Sequence, residues 1–223
     1  LIMYTSNSLI EKLELFFSNS KTIHYKKGET ILRAGEEPPG VFYLKEGYVK
    51  AFSISEEGEE LTIIIFKTED VFPYSWAISS IQNKYYYEAM TPVEVYRVPK
   101  EELLSFINDN PDILFTLNNR IIVRMMGLAQ RMEYLAFGNA YTKVTSIVLI
   151  CAERFGKKVG RDVVIQVPLT HKDIANLVGM TRETVSIEMK KLAHRSLISY
   201  KGKTVTVHDL VKLKDESLLY DEG

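Results

Sequence analysis

The side chains best suited to chemistry in this sequence lie within the twenty residues from His171 to Lys190. Arginine pairs with guanine O6 and N7, glutamate accepts from cytosine N4, and lysine neutralises phosphate. Four polar or charged side chains of this segment fall on one exposed side of a predicted helix: Arg182, Glu183, Ser186 and Lys190. The set offers hydrogen bonds to base edges and positive charge to phosphates, and it predicts a surface that reads double-stranded DNA.

The small and apolar residues of the same segment have the spacing of a helix-turn-helix. Ala175, Gly179 and Val185 occupy relative positions 5, 9 and 15 of the twenty-residue unit. The alanine lets the second helix cross closely, the glycine permits a positive φ in the turn, and the valine anchors the second helix. Further polar residues are expected to begin the two helices and to join the DNA contacts: Thr170, His171 and Thr181. Asp173 follows Thr170 at the spacing of a capping box.

Two short strand-like runs follow the helix-turn-helix, at residues 197–200 and 204–207. The turn between them carries Lys201, Gly202 and Lys203, which predicts a β-hairpin wing with two lysines at the height of DNA phosphates. A helix-turn-helix also serves as a packing unit, so a protein that acts mainly through a protein partner is the alternative. A steep fall of DNA affinity with salt distinguishes the two hypotheses.

The charge of the chain is unevenly distributed along its length. The formal net charge is −1, which by itself argues against a nucleic-acid partner. Residues 139–214, however, carry 14 basic and six acidic side chains, a net charge of +8. Residues 1–138 carry −5, and the tail from Asp215 to Gly223 carries −4. Such an asymmetry between parts of a chain indicates contact with nucleic acid or another anionic surface.

A long helical segment, residues 110–137, precedes this basic region. Its Asn-Pro start predicts an N-cap followed by a proline in the first turn, and roughly 28 residues of helix span about 42 Å. Seven apolar residues recur along it at near-heptad spacing: Ile113, Leu117, Ile121, Met125, Leu128, Met132 and Leu135. A helix of that length extends beyond the core of one small domain, so the stripe predicts dimerisation through the same helix of a second copy. The alternative is a helix that packs only on its own domain.

The N-terminal half has the pattern of an antiparallel β domain. Residues 6–19 predict a short amphipathic helix and residues 101–108 a second one. Six strand-like runs separated by turns lie between them: residues 30–33, 41–44, 48–54, 61–66, 85–90 and 93–98. Short strands at such spacing predict a sandwich or barrel. A helix at residues 141–155, ended by Gly156-Lys157-Lys158, and a strand at residues 163–167 lead into the helix-turn-helix.

The residue types exclude several other classes of protein. The single Cys151 excludes an intramolecular disulfide framework and a cysteine-ligated metal centre within one chain. A β-roll metal enzyme needs clustered histidine and carboxylate ligands, whereas the four histidines here are scattered. The sequence therefore predicts no enzyme activity, no catalytic residues, no metal and no cofactor. No apolar run approaches the ~20 residues that cross a bilayer, and no signal peptide is recognisable, which predicts a cytoplasmic protein without a membrane partner.

Five groups of residues, in order along the chain, carry a resemblance to a known family: residues 27–31, 35–36, 41–50, 57–60 and 177–186. With the long helix among them, residues 5–210 resemble the CRP/FNR family of bacterial transcription regulators. The resemblance implies an α+β fold with an N-terminal double-stranded β-roll (a cyclic-nucleotide-binding-like jelly roll), a long dimerisation helix and a C-terminal winged helix-turn-helix. The corresponding domains are residues 1–108 with the N-terminal helix, 109–138, and 139–223 with the acidic tail.

The family resemblance also implies partners. They are double-stranded DNA carrying a pseudo-palindromic promoter site, a second copy of the chain, and RNA polymerase. Half-sites about one helical turn apart are expected for such a dimer. Arg182 and Glu183 match the base-reading pair of the family, whereas Ile187 stands where many members have another arginine. Ile187 is therefore expected either to contact a thymine methyl or to pack inward.

The sensor half departs further from the family pattern. Pro73-Tyr74 replaces the Gly-Glu pair, and Asn83-Lys84 replaces the Arg-Ser/Thr pair, of the relatives that bind cyclic nucleotides. Proline offers neither the backbone N–H nor the close approach that a phosphate cradle needs, so we expect no cyclic-nucleotide binding. The N-terminal cysteine cluster of the iron–sulfur sensors is absent as well, and His24 alone predicts no haem site.

Aromatic residues are concentrated in the same stretch of the sensor. They predict a site for an apolar or aromatic effector, formed by Tyr74, Trp76, Lys84 and Tyr86, where the Lys84 amine would also suit an anionic group. Such an effector would shift the population of the form that binds DNA. The alternatives are that these rings fill the β-roll, or that the regulator works without an effector.

Overall fold

The computed structural model describes residues 7–219. Ser6, at the start of the predicted first helix, and the last four residues of the acidic tail lie outside them. The described residues divide into two compact units: residues 7–54 with 62–124, and residues 55–61 with 125–219. Within the described part, no helix is both long and apolar enough to cross a membrane.

The first unit confirms the predicted β-roll of an α+β fold. Two antiparallel four-stranded sheets form it, in the orders β1-β8-β3-β6 and β2-β7-β4-β5. The strands are β1 (Thr22–Tyr25), β2 (Thr30–Leu32), β3 (Val41–Glu46), β4 (Val49–Ile54), β5 (Glu60–Phe66), β6 (Val71–Phe72), β7 (Tyr86–Ala89) and β8 (Val93–Val98). The helices are α1 (Asn7–Ser18), α2 (Tyr74–Ser79) and α3 (Lys100–Asp109). Strands β1 and β6 and helix α2 were not predicted, because each is short and has little apolar alternation.

Successive side chains of the strands point to opposite faces of the sheets, so the strands contribute to two apolar cores in this unit. Phe42, Phe66 and Phe72 fill the space between the sheets, with ring centroids 5.1 and 5.4 Å apart along the row. The opposite face of β3 turns Tyr43 outward, where Phe17 of α1 stacks on it at 5.4 Å. Helices α1 and α3 therefore cover a second apolar layer outside the roll.

Helix α4 (Pro111–Phe137) corrects the N-terminal part of the predicted dimer stripe. Ile113 and Leu117 are 1% and 4% exposed, because they pack into the core of the first unit, so the prediction that they form a dimer surface is wrong. Ile121 and Leu135 are half-buried. The exposed apolar side chains of the helix include three members of the predicted stripe, Met125, Leu128 and Met132, together with Phe115, Ile122, Val123, Met126 and Phe137.

The second unit holds the predicted winged helix-turn-helix. Its elements after α4 are α5 (Ala140–Phe155), β9 (Gly156–Val159), β10 (Asp162–Ile165), α6 (His171–Val178), α7 (Arg182–His194), β11 (Ile198–Lys201), β12 (Thr204–Val207) and α8 (Leu210–Asp215). The strands form one antiparallel sheet in the order β11-β12-β10-β9. Strand β9 was not predicted. In the sequence, its polar Gly156-Lys157-Lys158 start indicates only the end of the preceding helix.

Candidate nucleic-acid interface

The turn between α6 and α7 has the geometry that the sequence predicts. Thr170 and Asp173 form a reciprocal capping box at the start of α6. Gly179 ends α6 with a φ of 63°, in the left-handed region that favours glycine. The side chain of Thr181 accepts a hydrogen bond of 3.2 Å from the backbone N–H of Thr184, which caps α7. Thr170 and Gly179 thus fix the two ends of α6, and Thr181 fixes the start of α7.

Buried residues set which side of α7 faces outward. Val185, Met189 and Leu192 are fully buried and hold the helix against the rest of the unit. The exposed residues on the other side are Arg182, Glu183, Ile187, Lys190, Lys191 and His194. Three of the four predicted base-facing side chains (Arg182, Glu183 and Lys190) therefore reach solvent together.

Ser186 differs from this prediction, because it is half-buried and engaged by another residue. Its Oγ lies 2.7 Å from Nδ1 of His171, the first residue of α6. The His171 ring also packs edge-on against Tyr200 of the wing, with centroids 5.1 Å apart. His171 therefore joins α6, α7 and β11, and Ser186 serves this junction rather than standing free.

The surroundings of His171 are electropositive. Burial lowers the pKa of His171, and the nearby charges of Arg182 and Lys190 lower the pKa further. Like charges around an imidazole disfavour its protonated form. The same field attracts an anion to the face where α6, α7 and the wing meet.

The wing is a two-stranded hairpin built on a glycine turn. Strands β11 and β12 pair from Ile198 opposite Val207 to Lys201 opposite Thr204. Lys201 and Lys203 are exposed at this turn, and the Lys203 carbonyl accepts from the Leu169 N–H at 2.8 Å. That bond ties the hairpin to the segment that leads into α6.

Two contacts that support the helix-turn-helix were not predicted. Arg131 of α4 is buried and donates a hydrogen bond to the carbonyl of Leu177 in the last turn of α6. A carbonyl there has no partner within its own helix, so the guanidinium satisfies it. An arginine inside a helical pattern gives no sequence signal of burial.

The second support is a triad at the end of α7. Arg195 binds Glu216 at 2.6 Å, and the Tyr141 hydroxyl hydrogen-bonds to the same carboxylate. Burial, the bond to Glu216 and its negative charge raise the pKa of Tyr141 to about 12. Glu216, near the start of the acidic tail, therefore links α5 to the end of α7. An open groove of about 680 Å³ lies beside it, lined by Tyr141, Ile187, Lys190, Lys191, His194 and Arg195.

The predicted effector residues are not brought together. Tyr74 and Trp76 are buried in the outer core of the first unit, so the prediction that they line an open site is wrong. Tyr86 stacks on Phe52 at 5.5 Å in the other sheet, and Lys84 is exposed in the loop before it. Tyr74 and Trp76 therefore fill a packed core, as the alternative expects, but it is the layer outside the roll rather than the space between its sheets.

Asn83, in the phosphate-binding position of the family pattern, has a structural role here. It is buried, and its amide nitrogen donates to the carbonyls of Arg33 and Tyr85, both at 2.9 Å. Its amide oxygen accepts from the Tyr85 N–H at 3.2 Å. The side chain is thus committed to shaping its own loop.

Comparison with known proteins agrees with this architecture. Residues 22–110 match the cyclic nucleotide-binding domain, and residues 143–216 match the Crp-like helix-turn-helix domain. The global nitrogen regulator of Nostoc is 28% identical over 85% of this chain and 86% of its own length. The cAMP-activated global transcriptional regulator CRP of Pasteurella multocida is 28% identical over 92% of this chain and 99% of its own length.

Solved structures show the same fold. A CRP/FNR-family transcriptional regulator from Thermus thermophilus superposes with a TM-score of 0.71 at 25% identity, covering 88% of this chain and 98% of its own. A CooA variant from Carboxydothermus hydrogenoformans reaches a TM-score of 0.78 at 20% identity, covering 96% and 97%. With both domains matched in this order, on a β-roll, a long helix and a winged helix-turn-helix, the chain belongs to the CRP/FNR family of transcription regulators.

Proposed function

We propose that the chain is a homodimeric transcription regulator that reads a pseudo-palindromic DNA site with α7 in the major groove. The observation that carries the proposal is the exposed Arg182–Glu183 pair at the start of a helix whose other side is anchored by Val185. A helix in this motif presents its N-terminal residues to base edges. Because these side chains are exposed, they take no part in packing the core and can contact DNA instead.

The charged residues around α7 receive distinct roles. Arg182 binds guanine O6 and N7, and Glu183 accepts from cytosine N4. Phosphates are bound by exposed lysines and by the capped helix starts: Lys190, Lys201, Lys203, Thr170 and Thr181. His171 and Ser186 hold α6, α7 and the wing in register for these contacts, 2.7 Å apart.

Dimerisation is assigned to the exposed apolar side of α4. Ile122, Met125 and Met126 lie within two turns of one another, and Met132 is 71% exposed two turns further on. A run of exposed apolar side chains along a helix of 27 residues is the pattern of an interface that a second helix buries. Leu128 extends the same exposed surface.

The dimer assignment is tested with the double variant Ile122→Glu, Met126→Glu. Two carboxylates on this surface disfavour association, so sedimentation velocity should show a monomer and DNA affinity should fall at least about tenfold. Leu15→Glu, at an exposed apolar position of α1, is the matched control and should remain dimeric. A double variant that stays a dimer with unchanged affinity contradicts the assignment.

The sensor is proposed not to bind a cyclic nucleotide. Pro73 precedes α2 as its N-cap residue and makes no side-chain cap bond, and the amide nitrogen of Asn83 donates to the carbonyls of Arg33 and Tyr85. The gap between α2 and the first half of α4 is about 10 Å³, space for about one water molecule. Arg124 at this gap is paired with Asp70. A sensor of this kind uses another class of effector or none, and DNA binding measured with and without pooled cell metabolites separates the two.

The DNA-reading role is tested by selecting a preferred site from random DNA with the purified protein. Arg182→Ala should then cost roughly 1–3 kcal/mol on that site and relax one base position. Arg161→Ala, at an exposed arginine in the β9–β10 turn, is the control and should keep both affinity and selectivity. An equal loss on random DNA would make Arg182 a phosphate contact. A protein that enriches no site favours the alternative of a helix-turn-helix that binds a protein partner.

A further inference from the structure

Ile187 is an apolar residue on the reading side of α7. It is 55% exposed, whereas the other exposed residues of this fully described helix are charged residues or histidine. Its neighbours Glu188 and Met189 are buried, so the helix already has the residues that pack inward. The expectation that Ile187 packs inward is therefore wrong.

The position of Ile187 places it in register with the base-reading residues. It follows Glu183 by four residues and precedes Lys190 by three, so the three side chains lie in one row along the helix surface. Four residues of helix advance about 6 Å, and base pairs are spaced about 3.4 Å apart. A helix that presents Glu183 to one base therefore presents Ile187 to a base pair one or two steps away.

The major groove offers one apolar group, the C5-methyl of thymine. A branched aliphatic side chain has no donor or acceptor, and opposite guanine it would leave the O6 and N7 acceptors without a partner. Resting on the proposed function, we infer that Ile187 is a specificity-determining residue that contacts a thymine methyl in each half-site. The half-site then requires thymine at a position where an arginine at residue 187 would select guanine.

The experiment removes the methyl group from DNA and the side chain from the protein separately. The selected site is resynthesised with deoxyuridine replacing thymine at one symmetric position at a time, and affinities are measured by fluorescence anisotropy. At one position the wild-type protein should lose about fourfold per half-site, as expected for one methyl withdrawn from an apolar contact. Ile187→Ala should bind the thymine and deoxyuridine sites equally at that position.

Two further variants sharpen the result. Ile187→Arg should shift the selected base at that position to guanine. Val211→Ala removes a 72% exposed apolar side chain from α8 of the same unit and should keep the wild-type response to deoxyuridine. Thermal unfolding checks that all variants fold, which the exposure of both residues favours.

The outcomes separate this inference from the proposed function. If wild-type protein and Ile187→Ala respond equally to deoxyuridine at every position, or if no position responds, Ile187 reads no methyl and the inference is overturned. If the wild-type protein selects no site at all, the proposed function fails and the inference fails with it. A response that is confined to one position and abolished by Ile187→Ala supports both.

Discussion

Salt dependence tests whether the exposed lysines of the second unit bind DNA phosphates. Lys190, Lys201 and Lys203 are exposed on α7 and the wing, which gives six lysines in the proposed dimer. Each phosphate neutralised contributes about −0.9 to the slope of log affinity against log salt, so six predict a slope of about −5. Affinity should therefore fall by about 10³-fold between roughly 50 and 200 mM salt.

The variant Lys203→Ala removes two of these contacts per dimer. Its slope should be shallower by about 2, while the preference for the selected site over random DNA stays unchanged, because phosphates carry no sequence information. Lys157→Ala, at an exposed lysine of β9, is the control and should keep the wild-type slope. Anisotropy titrations at four or more salt concentrations give both slopes. A wild-type slope shallower than about −2, or a slope that Lys203→Ala leaves unchanged, refutes the assignment of these lysines to phosphates.

Three further perturbations have definite expected outcomes. Because its folded-state pKa lies below the ordinary 6.5, His171 binds protons more weakly in the folded than in the unfolded chain. The free energy of unfolding should thus fall as pH drops below about 6.5, and His171→Gln should flatten this fall in chemical denaturation between about pH 7 and pH 5. Gly47→Ala puts a Cβ 2.4 Å from the Pro92 carbonyl at a φ of +96° and should cost more than about 2 kcal/mol, whereas Gly58→Ala, at a φ of +81° with open space around it, should cost about 1 kcal/mol. Arg131→Met removes the donor to the Leu177 carbonyl and should lower stability by about 1–3 kcal/mol in the same assay. Equal costs for the two glycine variants, or an unchanged stability of Arg131→Met, would contradict these packing assignments.

The helix-turn-helix could be predicted from the sequence because its determinants are local. Thr170, Gly179 and Thr181 act within a few residues of themselves, through caps and a left-handed turn. The dimer stripe was only partly predictable. Periodicity shows that Ile113 and Met132 lie on apolar faces, yet it does not show that the first packs inside its own unit while the second stays exposed.

The prediction of an effector site was wrong for a different physical reason. Aromatic residues adjacent in sequence were expected to lie together, but successive side chains of a strand point to opposite faces. Tyr87 enters the core between the sheets, and Tyr86 stacks on Phe52 instead. Arg131 and Glu216 were missed because their partners, Leu177 and Arg195, come from distant elements that no spacing rule connects.

The residues that hold α7 in place differ from the residues that α7 exposes, and this separation has an evolutionary consequence. His171 and Ser186 fix the position of the helix, 2.7 Å apart, while Arg182, Glu183 and Ile187 project from it into solvent. Substitutions at exposed positions away from packing usually change stability by less than about 0.5 kcal/mol. With those three residues reading DNA as proposed above, a lineage can exchange them, and with them its target sites, without first acquiring compensating changes in the core. Regulators built in this way can diverge in target sequence faster than in architecture.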